Sequence, residues 1–198
     1  MEAVTGISDH IGWAEFVTIG VVDRRPMILD RRRVALIDQG APSAPYHHEA
    51  LAMPLAEARL VVDRTRAMVA ERCHAVLRES VCDFSIGGVV LQESPLERIP
   101  DDLADVLASR HITCAADGML YREFLATAAT QLGLAVRRYP RRSNEITAAA
   151  TAAGVTHATV TALLKSFGVR VGVPWRKEHQ LAAASALAML ASLMPLEV

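Results

Sequence analysis

The chain has little cysteine, no long uninterrupted apolar run and almost no lysine. Its three cysteines, Cys73, Cys82 and Cys114, are an odd number without a C-x-x-C pair, which argues against a disulfide framework or a zinc ribbon and for a reducing, cytoplasmic setting. The longest weakly polar stretch, Leu181 to Leu196, holds 16 residues and is interrupted by Ser185 and Ser192. It falls short of the roughly 20 residues needed to cross a bilayer and reads as a buried helix, so no membrane partner is expected. The first fifteen residues carry Glu2, Asp9, His10 and Glu15 instead of a positive segment followed by an apolar core, so secretion by a signal peptide is not expected. Neither Gly-x-Gly-x-x-Gly nor a glycine loop ending in lysine occurs, which argues against a nucleotide-phosphate loop.

What is present points to a folded chain. With 198 residues, 52% apolar and 22% charged, it is too hydrophobic for a disordered tail and large enough for one core, read as a single domain over 1–198. Of the 21 cations, 19 are arginine, with lysine only at Lys165 and Lys177. That preference suits planar phosphate contacts and equally suits a GC-rich genome. The formal charge of -1 hides an asymmetry, because residues 1–131 carry a net -6 and residues 132–198 a net +5. The basic end is suited to face phosphate.

Alternation and turn residues predict strands at Ala3 to Ser8, Trp13 to Val22 and Met27 to Ile37, with turns at Asp9-His10-Ile11-Gly12 and Asp23-Arg24-Arg25-Pro26 and a break at the Arg31-Arg32-Arg33 run. After a loop over 39–54, apolar residues at three- and four-residue steps from Val61 to Leu77 predict a helix over 55–81. A fourth strand is expected over 83–91, its Gly87-Gly88 pair marking a close approach. Helices are expected over 101–109 and 117–132, a fifth strand over 134–139, and helices over 145–153, 156–166 and 175–194, with Asn144 as an N-cap. Three meandering strands followed by alternating helix and strand give an α/β fold: a mixed five-stranded sheet, antiparallel in its first three strands, flanked by helices.

That element order resembles the ribonuclease H-like fold. Gly6-Ile7-Ser8-Asp9 with Ile11-Gly12-Trp13, Asp83-Phe84-Ser85-Ile86, and Ala182 to Ala188 resemble, more particularly, the first strand, the fourth strand and the small-residue C-terminal helix of RuvC-type Holliday-junction resolvases. The resemblance implies DNA or RNA as partner, a homodimer, and acidic residues holding Mg2+ or Mn2+ for phosphodiester cleavage. Carried across, the first carboxylate falls on Ser8, the second on Gly87, and those of the last helix on Ala182 and Ser185, none of them acidic. The displaced candidates are Asp9, Glu93 and Glu178 as catalytic acids, with His10 and His179 joining Asp9 and Glu178 as metal ligands. Asp9 can replace Ser8 only if the strand has ended before it, because neighbours on a strand point to opposite faces. The chain therefore reads as a resolvase-like nuclease with a rebuilt site, or as a noncatalytic binding or assembly module that kept the fold.

Arg137, Arg138, Tyr139, Arg141 and Arg142 form the densest basic patch, suited to phosphates and base stacking, and Lys177 adds to it. A solvated strand end is the alternative reading. Asp117, Tyr121, Arg122 and Glu123 occupy successive turns of one helix, Asp117 and Tyr121 spaced as an ordinary helix-stabilising pair, with a role in a pocket as the alternative. Ala149 to Leu164, with Ala150, Gly154-Val155-Thr156, Thr159 and Val160, resembles a repressor-type helix-turn-helix. A third reading is therefore a DNA-binding regulator acting through residues 146–166.

Overall fold

The computed structural model describes residues 3–197; Met1, Glu2 and Val198, at the ends of the expected 1–198 domain, lie outside the described residues. Strands β1 (Ala3–His10), β2 (Trp13–Val22) and β3 (Arg25–Ala35) form the antiparallel meander. Both connections are two-residue hairpins, Ile11-Gly12 with Gly12 at φ 85°, and Asp23-Arg24 with φ 50° and 65°. Two successive left-handed residues match the twist of the flanking strands.

Three expectations need correction here. β1 does not stop at Ser8 but runs through Asp9 and His10, the latter paired with Trp13. Pro26 is not in the turn; it lies within β3, tolerated because β3 is an edge strand. The arginine run does not break β3, whose irregularity is a bulge at Leu29, where pairing passes from Ile19 with Ile28 to Thr18 with Asp30.

Helix α1 (Leu55–Phe84) buries Val62, Thr65, Val69, Cys73, Val76 and Leu77 along one stripe. It runs past the expected end and takes in Asp83 and Phe84, because the stop is Ser85 in the left-handed region rather than a glycine. Strand β4 (Ile86–Gln92) follows, then α2 (Leu103–Leu107), α3 (Arg110–Gln131) and β5 (Ala135–Tyr139). The chain closes with α4 (Glu145–Ala153), α5 (His157–Val171) and α6 (Lys177–Leu193). Helix α3 begins at Arg110 rather than Asp117 because Ser109 caps it, its side chain accepting from the Ile112 N–H.

The sheet order is β3-β2-β1-β4-β5, with β4 parallel to β1 and β5 parallel to β4. One face, carrying Ala3, Ile7, Ala14, Phe16, Val89 and Leu91, packs on α1 and α3. The other, carrying Val4, Val17, Ile19, Val90 and Tyr139, packs on α4, α5 and α6. Among the described residues, no single helix is long and apolar enough to cross a membrane.

Candidate nucleic-acid interface

Because β1 continues through Asp9, that carboxylate points away from Ser8, toward α3. There Arg122 meets it through both oxygens, Nε donating to Oδ1 at 3.0 Å and Nη2 to Oδ2 at 2.9 Å. Nη1 donates to the Glu93 carbonyl at 2.9 Å, so one guanidinium ties the ends of β1 and β4 together. The pair is out of water, with side chains 9% and 4% exposed. Buried charges persist only when paired and hydrogen-bonded, and here each satisfies the other. Both Asp9 oxygens are thus held by Arg122, and the Glu93 side chain is exposed beyond the strand.

The face that bears Ser8 is organised around Glu15. Ser8 and Glu15 stand opposite each other in the β1–β2 ladder, hence on one face. Glu15 accepts from Arg33 Nε at 2.8 Å and Nη2 at 2.6 Å, and its other oxygen lies 3.3 Å from His179 Nε2. His179 Nδ1 accepts from the Arg176 N–H at 2.9 Å, which assigns the ring proton to Nε2. Nδ1 of His179 is thus committed to the backbone, and Nε2 lies beside Glu15. His10 stacks on Trp13 at 3.9 Å between centroids, and Arg33 covers the Trp13 ring at 3.8 Å.

Helix α6 lies directly on this face. A Cβ on Gly6 would stand 1.8 Å from the Ala182 carbonyl oxygen and 2.9 Å from Ser185 Oγ, so glycine is what lets the helix touch the strand. Every residue from Ala182 to Leu190 is buried. Gly88 fills the same role on β4, its Cβ position lying 2.9 Å from the Ala135 oxygen and 2.5 Å from the Met189 methyl, while Gly87 faces open space.

The divalent ions that the resemblance implies need several hard oxygens converging on one point. The residues present do not fit them. The expected positions are Ser8, Gly87, Ala182 and Ser185, and Ser185 Oγ is bonded to the Ala182 carbonyl. Asp9 and Glu178 are not brought together, because Asp9 projects from the α3 side while Glu178 opens α6 on the other, next to His179. Among the described residues, no group of three or more histidine, cysteine, aspartate or glutamate side chains is placed to hold a metal.

The basic patch divides. Arg137 turns inward to the Ala188 carbonyl at 3.2 Å and Ser192 Oγ at 3.3 Å, and Arg138 pairs with Glu123 at 2.8 and 3.2 Å. Tyr139 is 5% exposed, so its ring has no free face for a base. Burial, and then the nearby Asp9 and Glu145, hold its hydroxyl in the protonated form well above the usual range. Arg141, Arg142 and Lys177 are exposed and form no ion pair among the described residues. Beyond the ends of β4 and β5, Pro95, His111, Cys114, Gly118, Arg122 and Arg141 line an open cleft of about 350 Å³ that no acidic residue borders.

Sequence reading passed over Glu15 and Arg33, and it placed Arg122 on its helix without finding its partner. The available signal was Glu15, a charge inside the otherwise uncharged run from Trp13 to Val22. Asp117, read as a helix pair with Tyr121, instead accepts from the backbone N–H groups of Tyr46 at 3.0 Å and His47 at 2.9 Å, and Tyr121 donates to the Ser43 carbonyl at 2.6 Å. Together they pin the 43–49 segment onto α3.

No protein-family model and no curated protein sequence matches the chain. Solved structures do. A Thermus thermophilus RuvC in complex with a Holliday-junction substrate shares 17% identity and superposes with a TM-score of 0.53 over 98% of this chain and 95% of its own. A second Thermus thermophilus RuvC structure shares 16% identity, with a TM-score of 0.54 over 96% of this chain and 95% of its own. The α/β sheet flanked by helices in this chain is thus the ribonuclease H-like fold in its RuvC-like form.

Proposed function

We propose that the chain is a nucleic-acid-binding domain, spanning 1–198, that keeps the ribonuclease H-like scaffold without metal-dependent cleavage. The observation that supports binding is the cleft beyond β4 and β5, lined by His111, by Arg122, whose charge Asp9 balances, and by Arg141, its exposed cation without an ion pair among the described residues. Open α/β sheets take ligands outside the carboxyl ends of their strands, and this one presents the exposed Arg141 there. Arg141, Arg142 and Lys177, all exposed, are suited to neutralising successive phosphates and releasing their counterions.

The noncatalytic part rests on donor chemistry. Cleavage by two ions needs carboxylates that bridge a spacing of roughly 3.5–4 Å, whereas Asp9 is bound to Arg122 and Glu15 to Arg33. Asp9, Glu93, Glu178, His10 and His179 are then structural residues, and Mg2+ or Mn2+ is not a working cofactor. A homodimer, implied by the resemblance, and a cytoplasmic setting belong to the same reading.

The test is a gel in which labelled duplex, branched, single-stranded and RNA/DNA hybrid substrates meet the protein with Mg2+ or Mn2+. Retardation without new fragments is expected. Arg141→Ala and Arg142→Ala should each weaken binding to every sequence and lower the salt slope by about one. Cutting that disappears in Glu178→Ala would replace this reading with a rebuilt metal nuclease, and absence of retardation would remove nucleic acid from it.

A further inference from the structure

The α4–α5 unit is built as two helices joined by a three-residue turn, residues 154–156, and bent at 110° to each other, within the roughly 90–120° range of helix-turn-helix units. Gly154 ends α4 in the left-handed region at φ 67° and donates to the Ala150 and Thr151 carbonyls, which a β-carbon would strain. Thr156 starts α5, its hydroxyl accepting from the Thr159 N–H at 3.1 Å. The inner faces meet in one apolar cluster holding Ala149, Ala150, Val160, Leu164 and Phe167, anchored on α6 and Tyr139. Small residues at 149 and 150 allow the second helix to seat closely.

His157, Ala158, Thr161, Ala162 and Lys165 are all exposed, and their spacing puts them on one side of α5. Two alanines there leave the backbone free to approach a surface, and methyl groups suit the thymine methyl. Histidine, threonine and lysine supply donors and acceptors for base edges and phosphates. Between Glu145 and Glu178 no acidic residue occurs, while Lys165, Arg170, Arg176 and Lys177 do. The complement of such a face is a polyanion with a groove about one helix wide.

We infer that α4 and α5 form a helix-turn-helix that lays the His157–Lys165 face of α5 in the major groove of B-form duplex DNA, with Arg141 and Arg142, just before α4, on the flanking phosphates. The inference rests on the nucleic-acid reading above and narrows it to double-stranded DNA. A-form duplexes are a poor substitute, because their major groove is too narrow and deep for a helix.

The test is fluorescence anisotropy on the full chain with a duplex selected from a random-sequence pool, beside double-stranded RNA of the same sequence. The wild type should bind DNA at least about tenfold tighter than RNA. Ala162→Glu and Lys165→Glu, both at exposed positions, should each lower DNA affinity about tenfold or more without changing the thermal midpoint. Thr127→Glu, an equally exposed change on α3, should leave affinity unaltered. If Ala162→Glu and Lys165→Glu bind like wild type while Arg141→Ala and Arg142→Ala bind more weakly, the helix-turn-helix is overturned and the broader reading stands. Equal affinity for DNA and RNA overturns it too, and no binding by the wild type overturns both.

Discussion

Arg122 and Asp9 are joined by two charge-assisted hydrogen bonds, at 3.0 and 2.9 Å, across 113 residues of chain. The pair fixes the end of β1 against α3 and takes the carboxylate next to Ser8 in sequence out of play. Removing one partner leaves the other charge buried and unpaired. Arg122→Ala should therefore lose about 3–5 kcal/mol of unfolding free energy. Replacing both, as Asp9→Asn with Arg122→Met, should lose clearly less. Urea denaturation of the three variants measures this, and a double variant as unstable as the single one would contradict it.

Gly6 and Gly87 should behave oppositely. A methyl at Gly6 meets the Ala182 carbonyl at 1.8 Å, so Gly6→Ala must displace α6 or the strand, and a loss of several kcal/mol or failure to fold is expected. Gly87 has nothing within 4 Å, and Gly87→Ala should stay within about 0.5 kcal/mol of wild type. Thermal midpoints of the two variants decide whether the helix touches the strand as described.

Asp117 gives stability a specific pH dependence. Burial pushes its carboxyl from 3.8 up to about 6, against the lowering pull of the Tyr46 and His47 N–H groups. Between those values the folded chain holds a proton that the unfolded chain has released, so this group's contribution falls as pH rises from about 4 through about 6 and is level above. Asp117→Asn removes the titration. The stability of the variant relative to wild type should therefore climb over that interval; a difference independent of pH would sink the assignment.

The sequence carried the hairpin signals, the Asn144 cap and the element order well, since each rests on local chemistry: a turn dipeptide, a capping oxygen, a repeat of apolar residues. What it hid depends on single-residue shifts. Ending β1 at Ser8 leaves the direction of Asp9 open, whereas the observed Ile11-Gly12 hairpin carries the strand two residues further and fixes Asp9 on the α3 face. Counting back from the Asp23-Arg24 turn would set Glu15 against Arg32. The bulge at Leu29 sets it against Arg33, and no local signal announces a bulge. The partner of Arg122 is invisible for another reason, because it lies in a distant strand and nothing in α3 marks that Arg122 faces inward.

Arg33 and Glu15 offer a further check on the closed face. Glu15→Gln keeps the shape but removes the charge that faces both Arg33 and His179, leaving Arg33, whose side chain is 55% exposed, to turn to solvent. A destabilisation of about 1–3 kcal/mol is expected. Because Glu15 is structural in this account, the variant should bind duplex DNA as wild type does. Lost affinity in a folded variant would give Glu15 a functional role instead.

Titrating the purified chain with Mn2+ while following the paramagnetic resonance of the free ion tests the central claim most directly, that the fold is kept and the metal site is not. The account predicts that the free-ion signal rises in proportion to added Mn2+ from the first addition, with no stoichiometric site. A one- or two-ion loss of signal that is abolished in Glu178→Ala or Asp9→Asn would contradict it and return the chain to the metal-dependent nucleases.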